Sequence, residues 1–306
     1  MEAWSKYSSG RISESPVKIL SQLCRPFGIC PYAANQSNRQ IEVNQPWKVH
    51  SLIFAGMFLL LSVFLVFHEY FVYGLIPRES FFLCVFATLT AEALSYSFAG
   101  LYHGQSVARA MTTLWNLYIP SSENHKIMMI CLVQCCLTLF TIGLVINRTL
   151  CHSFFAKADE NFLKCSLVVW GIVQVLMSSL GEMQFTTFVL ILTARMTKLA
   201  SEIRRGGNHL LKTYKQMLDT AAILNTAFNS SLLIAVFTVF LNEIFCLYAI
   251  ITKGFIVYCG VIRIIFVFIF ILKLWMLIYA CDSAHVAVSN LLFTLGYLKV
   301  AFFTSL

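Results

Sequence analysis

The chain contains six apolar segments that are each more than 20 residues long. An α-helix rises about 1.5 Å per residue, so roughly 20 apolar residues cross the hydrocarbon core of a bilayer. Charged residues make up only 12% of the chain, whereas soluble domains average about a quarter. We therefore predict an all-α integral membrane protein with six transmembrane helices: Val49–Tyr70, Phe81–His103, Lys126–Ile146, Ser166–Arg195, Ser230–Thr252 and Tyr258–Tyr279.

The distribution of lysine and arginine predicts which ends of these helices face the cytosol. With the N-terminus inside, fifteen of the 22 Lys and Arg residues fall on the cytosolic side and six on the outer side. Cytosolic loops carry the excess of these residues, so we predict a multi-pass protein of the plasma membrane with a cytosolic N-terminus. We attribute the net charge of +8 to this topology and to attraction to anionic membrane lipid, and we expect no nucleic-acid partner.

This topology divides the chain into five predicted parts. They are a cytosolic N-terminal arm (1–48), transmembrane helices one to four (49–195), a cytosolic amphipathic helical connection (196–229), transmembrane helices five and six (230–280), and a cytosolic or interfacial C-terminal tail (281–306).

The fourth and fifth helices are predicted to continue beyond the membrane into the cytosol. As a helix, Ser166–Arg195 would be about 45 Å long, which is more than the bilayer needs. After Gly206-Gly207, apolar residues recur every three or four positions from Leu210 to Phe228, as in an amphipathic helix. That helix runs into the fifth span without proline or glycine. We expect two cytosolic helices that pack on each other; a solvated helical hairpin is the alternative.

Five charged residues lie within the predicted spans: Glu92, Glu182, Glu243, Arg263 and Lys273. An ionised group at the centre of a transmembrane helix costs about 2.5 to 3.5 kcal/mol, so each should face protein or water. Counting helix rise from the inner ends of the spans places Glu243 about 20 Å and Arg263 about 24 Å above the inner surface. We therefore predict a structural ion pair between these two residues. Lys273, only about 9 Å above that surface, should extend its ammonium to it.

Glu92 and Glu182 both fall near the middle of the membrane, and Tyr96 lies one helical turn from Glu92. We predict that these three residues line a pocket for a polar small-molecule ligand. A purely structural role is the alternative. The sequence has no paired nucleophile and base, phosphate-binding loop or metal-ligand spacing, so we expect no catalytic activity, no metal and no cofactor.

Two further candidate sites lie on the predicted outer side. Asn147-Arg148-Thr149 is a glycosylation sequon, and Asn147 is the candidate acceptor. Cys151 and Cys165 share an external loop in this topology, and an oxidising exterior favours a disulfide between them.

A series of residues on the fifth helix resembles the fifth-helix pattern of insect gustatory receptors: Leu218, Asn225, Phe228, Leu232-Leu233, Phe240 and Tyr248. In that family an asparagine and a phenylalanine precede a double leucine, and a tyrosine follows near the outer end. The basic segment Arg195–Arg205 after the fourth span and Cys281-Asp282 after the sixth add to the resemblance, which covers residues 47 to about 290.

The resemblance implies a chemosensory receptor: a ligand-gated cation channel subunit that detects a small-molecule tastant and assembles as a homo- or hetero-tetramer with related receptors. It implies seven helices, a ligand pocket that opens outward within the bundle, and a pore lined by the seventh helix. It also implies that the cytosolic extensions of helices four to six anchor the subunits to one another.

The pattern of the family's seventh helix is Thr-Tyr, five mostly apolar residues, then Gln-Phe, and this sequence does not contain it. The segment Leu291–Leu306 would span about 24 Å as a helix, less than a bilayer needs. We therefore expect the seventh helix to be missing or incomplete, as in a truncated isoform that forms no pore alone.

Two other classes of membrane protein are alternatives to this interpretation. A G-protein-coupled receptor would have an external N-terminus and proline-kinked late helices, yet the last proline here is Pro120. A small-molecule transporter would show inverted repeats and spans broken by glycine or proline. Neither of these two classes fits the sequence as well as a chemoreceptor does.

Overall fold

The computed structural model describes residues 16–35, 40–73, 77–116, 121–151, 161–204, 211–253 and 257–304. Within those ranges the chain forms eight helices and one two-stranded antiparallel hairpin. The helices are α1 (Pro16–Cys24), α2 (Gln45–Tyr73), α3 (Pro77–Tyr102), α4 (Gly104–Asn116), α5 (Ser121–Cys151), α6 (Asn161–Arg204), α7 (Leu211–Lys253) and α8 (Val257–Thr304). The hairpin pairs β1 (Tyr32–Asn35) with β2 (Gln40–Val43), with Tyr32 opposite Val43. The predicted all-α class is confirmed.

Each of the six predicted spans lies within one helix, except that α3 ends at Tyr102, one residue before the predicted end of its span. By length and composition, five described segments are suited to cross a membrane: Gln45–Phe67, Glu123–Ile146, Val168–Ile203, Lys212–Ile244 and Ile264–Thr294. The remaining predicted span is α3, a 26-residue helix whose side chains from 77 to 86 lie outside the described part. The protein is a multi-pass membrane protein.

Helix α6 is the central helix of the bundle. In the most apolar 18-residue stretch of its segment Val168–Ile203, 89% of the residues are buried, whereas the corresponding share in the other four candidate spans is 22% to 39%. It packs against α8, α5 and α3, and also against α1 and α7. Because protein surrounds this helix on most sides, it can carry polar side chains at membrane depth without exposing them to lipid.

The two long helices that the sequence predicted beyond the fourth and fifth spans are present. Helix α6 continues to Arg204, and α7 runs without a break from Leu211 to Lys253. Met217 and Leu224 of α7 are buried in the same apolar cluster as Leu199 and Ile203 of α6. The two helices therefore pack on each other, and the alternative of a solvated hairpin does not hold.

Helix α8 extends well past the predicted end of the sixth span at Tyr279. It is continuous for 48 residues, and the residues from Leu291 to Thr304 prolong it. Ala280, Ala287 and Leu291 lie in the main buried cluster, so the predicted C-terminal tail begins as packed helix.

The described part of the N-terminal arm folds onto the bundle. Val17, Cys24 and Tyr32 have no exposed surface, and the phenol of Tyr32 donates a hydrogen bond to the Gly100 carbonyl oxygen at 3.1 Å. A Cβ at Gly100 would collide with the carbonyl oxygen of Ile29, so the arm approaches α3 as closely as a glycine allows.

Candidate functional site

Helix α6 presents a series of polar side chains at four-residue intervals, each bonded to a different place in the bundle. The Trp170 indole donates to Ser62 Oγ of α2 at 2.9 Å, and the Gln174 amide donates to Thr90 Oγ1 of α3 at 3.1 Å. One turn further, the Ser178 hydroxyl donates to the Glu92 carboxylate of α3. This spacing places the side chains on one face of α6.

Glu92 lies inside the bundle, only 2% exposed. Ser178 supplies it with a hydrogen-bond donor, and Glu182 and Lys273 are the charged groups that act on it electrostatically. A buried carboxylate needs such partners because water no longer solvates it.

Tyr96 lies one turn beyond Glu92 and packs its ring directly on α6. A Cβ at Gly181 would fall inside that ring, so the glycine permits the contact. Tyr96 is 1% exposed, and its hydroxyl has no hydrogen-bond partner in the described part of the chain. Buried tyrosine hydroxyls usually find a partner, so this one is available to a further group.

Lys273 of α8 completes the arrangement. Its ammonium donates to Ser179 Oγ at 2.8 Å and lies 3.2 Å from Glu182 Oε2, with 9% and 14% of the two charged side chains exposed. The prediction that Lys273 extends to the inner surface is therefore wrong. Ser179 and Glu182 of the central helix offer it two acceptors at its own depth, which compensate its removal from water.

The three residues predicted to bind ligand are thus brought together. Glu92, Tyr96 and Glu182 lie with Ser178, Ser179 and Lys273 where α3, α6 and α8 meet, and we call these six residues the α6 cluster. The sequence analysis missed the two serines and misplaced the lysine. The interval of four residues from Trp170 through Gln174 and Ser178 to Glu182 could have identified Ser178. No such signal in the sequence points to Ser179 or to the place of Lys273.

The predicted ion pair between Glu243 and Arg263 stays a prediction. Arg263 lies in α8, but its side chain is outside the described ones. Glu243 Oε1 is buried and has no hydrogen-bond partner among the described residues, so this carboxylate has room for one.

The remaining sequence candidates fall outside the described side chains. These are Asn147, Cys151 and Cys165, so glycosylation and a disulfide at these positions stay predictions. Six cysteines that are described are free thiols. Among the described residues, no group of three or more histidine, cysteine or acidic side chains is arranged to hold a metal ion.

A cleft of about 630 Å³ opens elsewhere, between the hairpin, the start of α2 and the junction of α3 with α4. Its charged and titratable lining residues are Glu42, Lys48, His103 and Arg109. No member of the α6 cluster lines it. The sequence analysis did not detect this cleft because its residues come from segments about 60 positions apart.

Similarity to known proteins is found in the structure of the chain and not in its sequence. No protein-family model and no curated protein sequence matches the chain. The structure is similar to that of the insect olfactory receptor OR5 from Machilis hrabei, with a TM-score of 0.66 over 90% of this chain and 81% of that one. The two sequences are 10% identical over the match. The chain therefore shares the fold of this insect olfactory receptor.

Proposed function

We propose that the protein is a chemosensory receptor of the gustatory-receptor kind, a ligand-gated cation channel subunit that detects a small-molecule tastant at the plasma membrane. The shared fold with an insect olfactory receptor and the fifth-helix residue pattern both support this proposal. The single observation that carries it is the α6 cluster, where three helices converge on buried polar groups.

The composition of the α6 cluster favours a small polar ligand that is rich in hydrogen-bond donors. Two carboxylates, Glu92 and Glu182, offer more acceptor positions than the hydroxyls and the single ammonium of the cluster can fill. The Tyr96 hydroxyl, free of partners among the described residues, would recognise one acceptor of the ligand. Burying such groups lowers the stability of the protein. A role in ligand binding would explain why the protein contains them.

A ligand bound at the α6 cluster would act on the cytosolic end of the protein through α8. A donor that bonds to Glu182 competes with the Lys273 ammonium, now 3.2 Å from that carboxylate, and so changes how α6 and α8 pack. Helix α8 is continuous from Lys273 to Ala287 and beyond, a distance of about 21 Å at the standard rise. A ligand that prefers one packing of these helices shifts the receptor towards it.

The cytosolic end of α8 also supports assembly with related receptors, as a homo- or hetero-tetramer. Val286, Leu292 and Phe293 are 50%, 52% and 66% exposed. These three residues belong to Ile264–Thr294, which by length and composition is suited to cross a membrane. In the topology we propose they lie at its cytosolic end, where exposed apolar groups are typical of a surface that another subunit covers.

Current recordings test this function. The chain is expressed in cells whose ligand-evoked cation current is recorded. Co-expressed with a channel-forming relative, it should co-purify with it and change its response to a panel of sugars, polyols and amines. Failure to associate with any relative, or to alter its response, would disprove the receptor proposal itself.

A further inference from the structure

We propose that the cleft between the hairpin and the α3–α4 junction binds the headgroup of an anionic phospholipid of the cytosolic leaflet. The proposal rests on the cytosolic placement of the N-terminal arm that the proposed function includes. It does not depend on ligand gating or on conduction.

The walls of the cleft are held in place by hydrogen bonds. On the hairpin side, Ile41 N donates to Thr112 Oγ1 of α4 at 2.8 Å. On the other side, Asn44 caps the first turn of α2: its side-chain oxygen accepts from Trp47 N at 3.3 Å, and its carbonyl accepts from Lys48 N at 2.9 Å. Lys48 and the start of α4 thus line a preformed recess of about 630 Å³, a size typical of ligand sites.

The charges around the recess favour an anion. Lys48 of α2 and Arg109 of α4 both line it, together with His103 and the first residues of α4. Neither cation is ion-paired within the described part of the chain. The carboxylate of Glu42 also lines the recess and would oppose an anion, which makes it a probe of the proposal.

The surroundings favour a lipid over a free anion. Lys48 and Leu52 lie one turn apart on α2, so they share a face of the helix, and Leu52 is 60% exposed. One turn further, a Cβ at Gly56 would meet nothing within 4 Å. This open apolar face leads from the recess into the membrane-crossing part of α2. Tyr102, which is 86% exposed, lines the recess, and Trp47 directly precedes its lining residue Lys48. Aromatic residues are enriched in this way at a membrane–water interface.

Lipid titration of the purified full chain in a neutral detergent tests the site, with binding followed by native mass spectrometry. Dioctanoyl phosphatidylserine should bind more tightly than dioctanoyl phosphatidylcholine, and more tightly than glycerophosphoserine, the same headgroup without tails. Lys48→Gln and Arg109→Gln should each weaken phosphatidylserine binding by about fivefold. Glu42→Gln should strengthen it by a similar factor, and added salt should weaken it.

Lys215→Gln is the matched control, because Lys215 is an exposed lysine on α7 outside the recess. It should leave phosphatidylserine binding unchanged. The proposal is overturned if Lys215→Gln weakens binding as much as Lys48→Gln, if both phospholipids bind equally, or if glycerophosphoserine binds as tightly as the lipid. Unchanged thermal unfolding of each variant excludes misfolding as the cause of a loss.

Discussion

At the scale of single residues, the close contact between Gly181 and the ring of Tyr96 determines how near α3 can lie to α6. No larger residue fits at Gly181 without displacing an aromatic ring. Overpacking of this kind costs about 1 to 3 kcal/mol. The contact therefore makes a sharp prediction about stability.

Gly181→Ala should lower the thermal unfolding temperature of the purified protein, because the new methyl group would occupy the space of the Tyr96 ring. The matched control is Gly143→Ala on α5, where an added Cβ meets nothing within 4 Å. Differential scanning fluorimetry in detergent compares the two. An equal effect of both substitutions would mean that the close packing of Tyr96 on Gly181 is not present in the protein.

The buried pair of Lys273 and Glu182 gives a second prediction at this scale. Removing one partner leaves the other charge buried and uncompensated, at a cost of about 3 to 5 kcal/mol. Lys273→Met and Glu182→Gln should each destabilise the protein strongly, while the double variant should recover part of the loss. Unfolding measurements on all four proteins give the coupling energy. Purely additive losses would rule out the pair.

At the scale of helices, the sequence predicted what depends on local composition. The six apolar spans and the amphipathic start of α7 were found because length and periodicity are properties of one segment. The position of Lys273 was predicted wrongly. Its depth was counted from Tyr279 as the inner end of a span, whereas α8 continues to Thr304. The burial of α1 against α6 was also missed, because the sequence of a short amphipathic helix does not reveal which groove receives it.

The buried arm predicts a pattern of cysteine reactivity. Cys24 and Cys30 are fully buried, and burial raises the pKa of the Cys30 thiol to about 12 and that of Cys24 well above its usual value. At pH 8 the fraction of Cys30 side chains in the thiolate form is then only about one in ten thousand. Maleimide should label the exposed Cys281 in the native protein and should label Cys24 and Cys30 only after denaturation. Peptide mass spectrometry checks this; rapid native labelling of Cys30 would contradict the packing of the arm.

At the scale of the whole molecule, the orientation in the membrane is the property on which the proposed ligand and lipid sites depend. Three sequons occur, at Asn35, Asn147 and Asn229, and only Asn147 lies on the predicted outer side. Glycosidase treatment followed by peptide mapping should therefore find glycan at Asn147 alone, or at none if the bilayer is too close for modification. A glycan on Asn35 or Asn229 would show that the predicted orientation in the membrane is wrong.

The central claim is that the α6 cluster recognises the ligand, and the hydroxyl of Tyr96 tests it most directly. Tyr96→Phe removes an oxygen that has no hydrogen-bond partner in the described structure, so the fold should be unaffected. The control Tyr279→Phe removes the same oxygen from a tyrosine that is 48% exposed and stacked on Trp275. The measurement is the concentration of an agonist from the co-expression assay that gives half-maximal response. We predict an increase of about tenfold for Tyr96→Phe, the loss of one hydrogen bond, and no change for Tyr279→Phe; an unchanged value for Tyr96→Phe at equal surface expression would contradict the account.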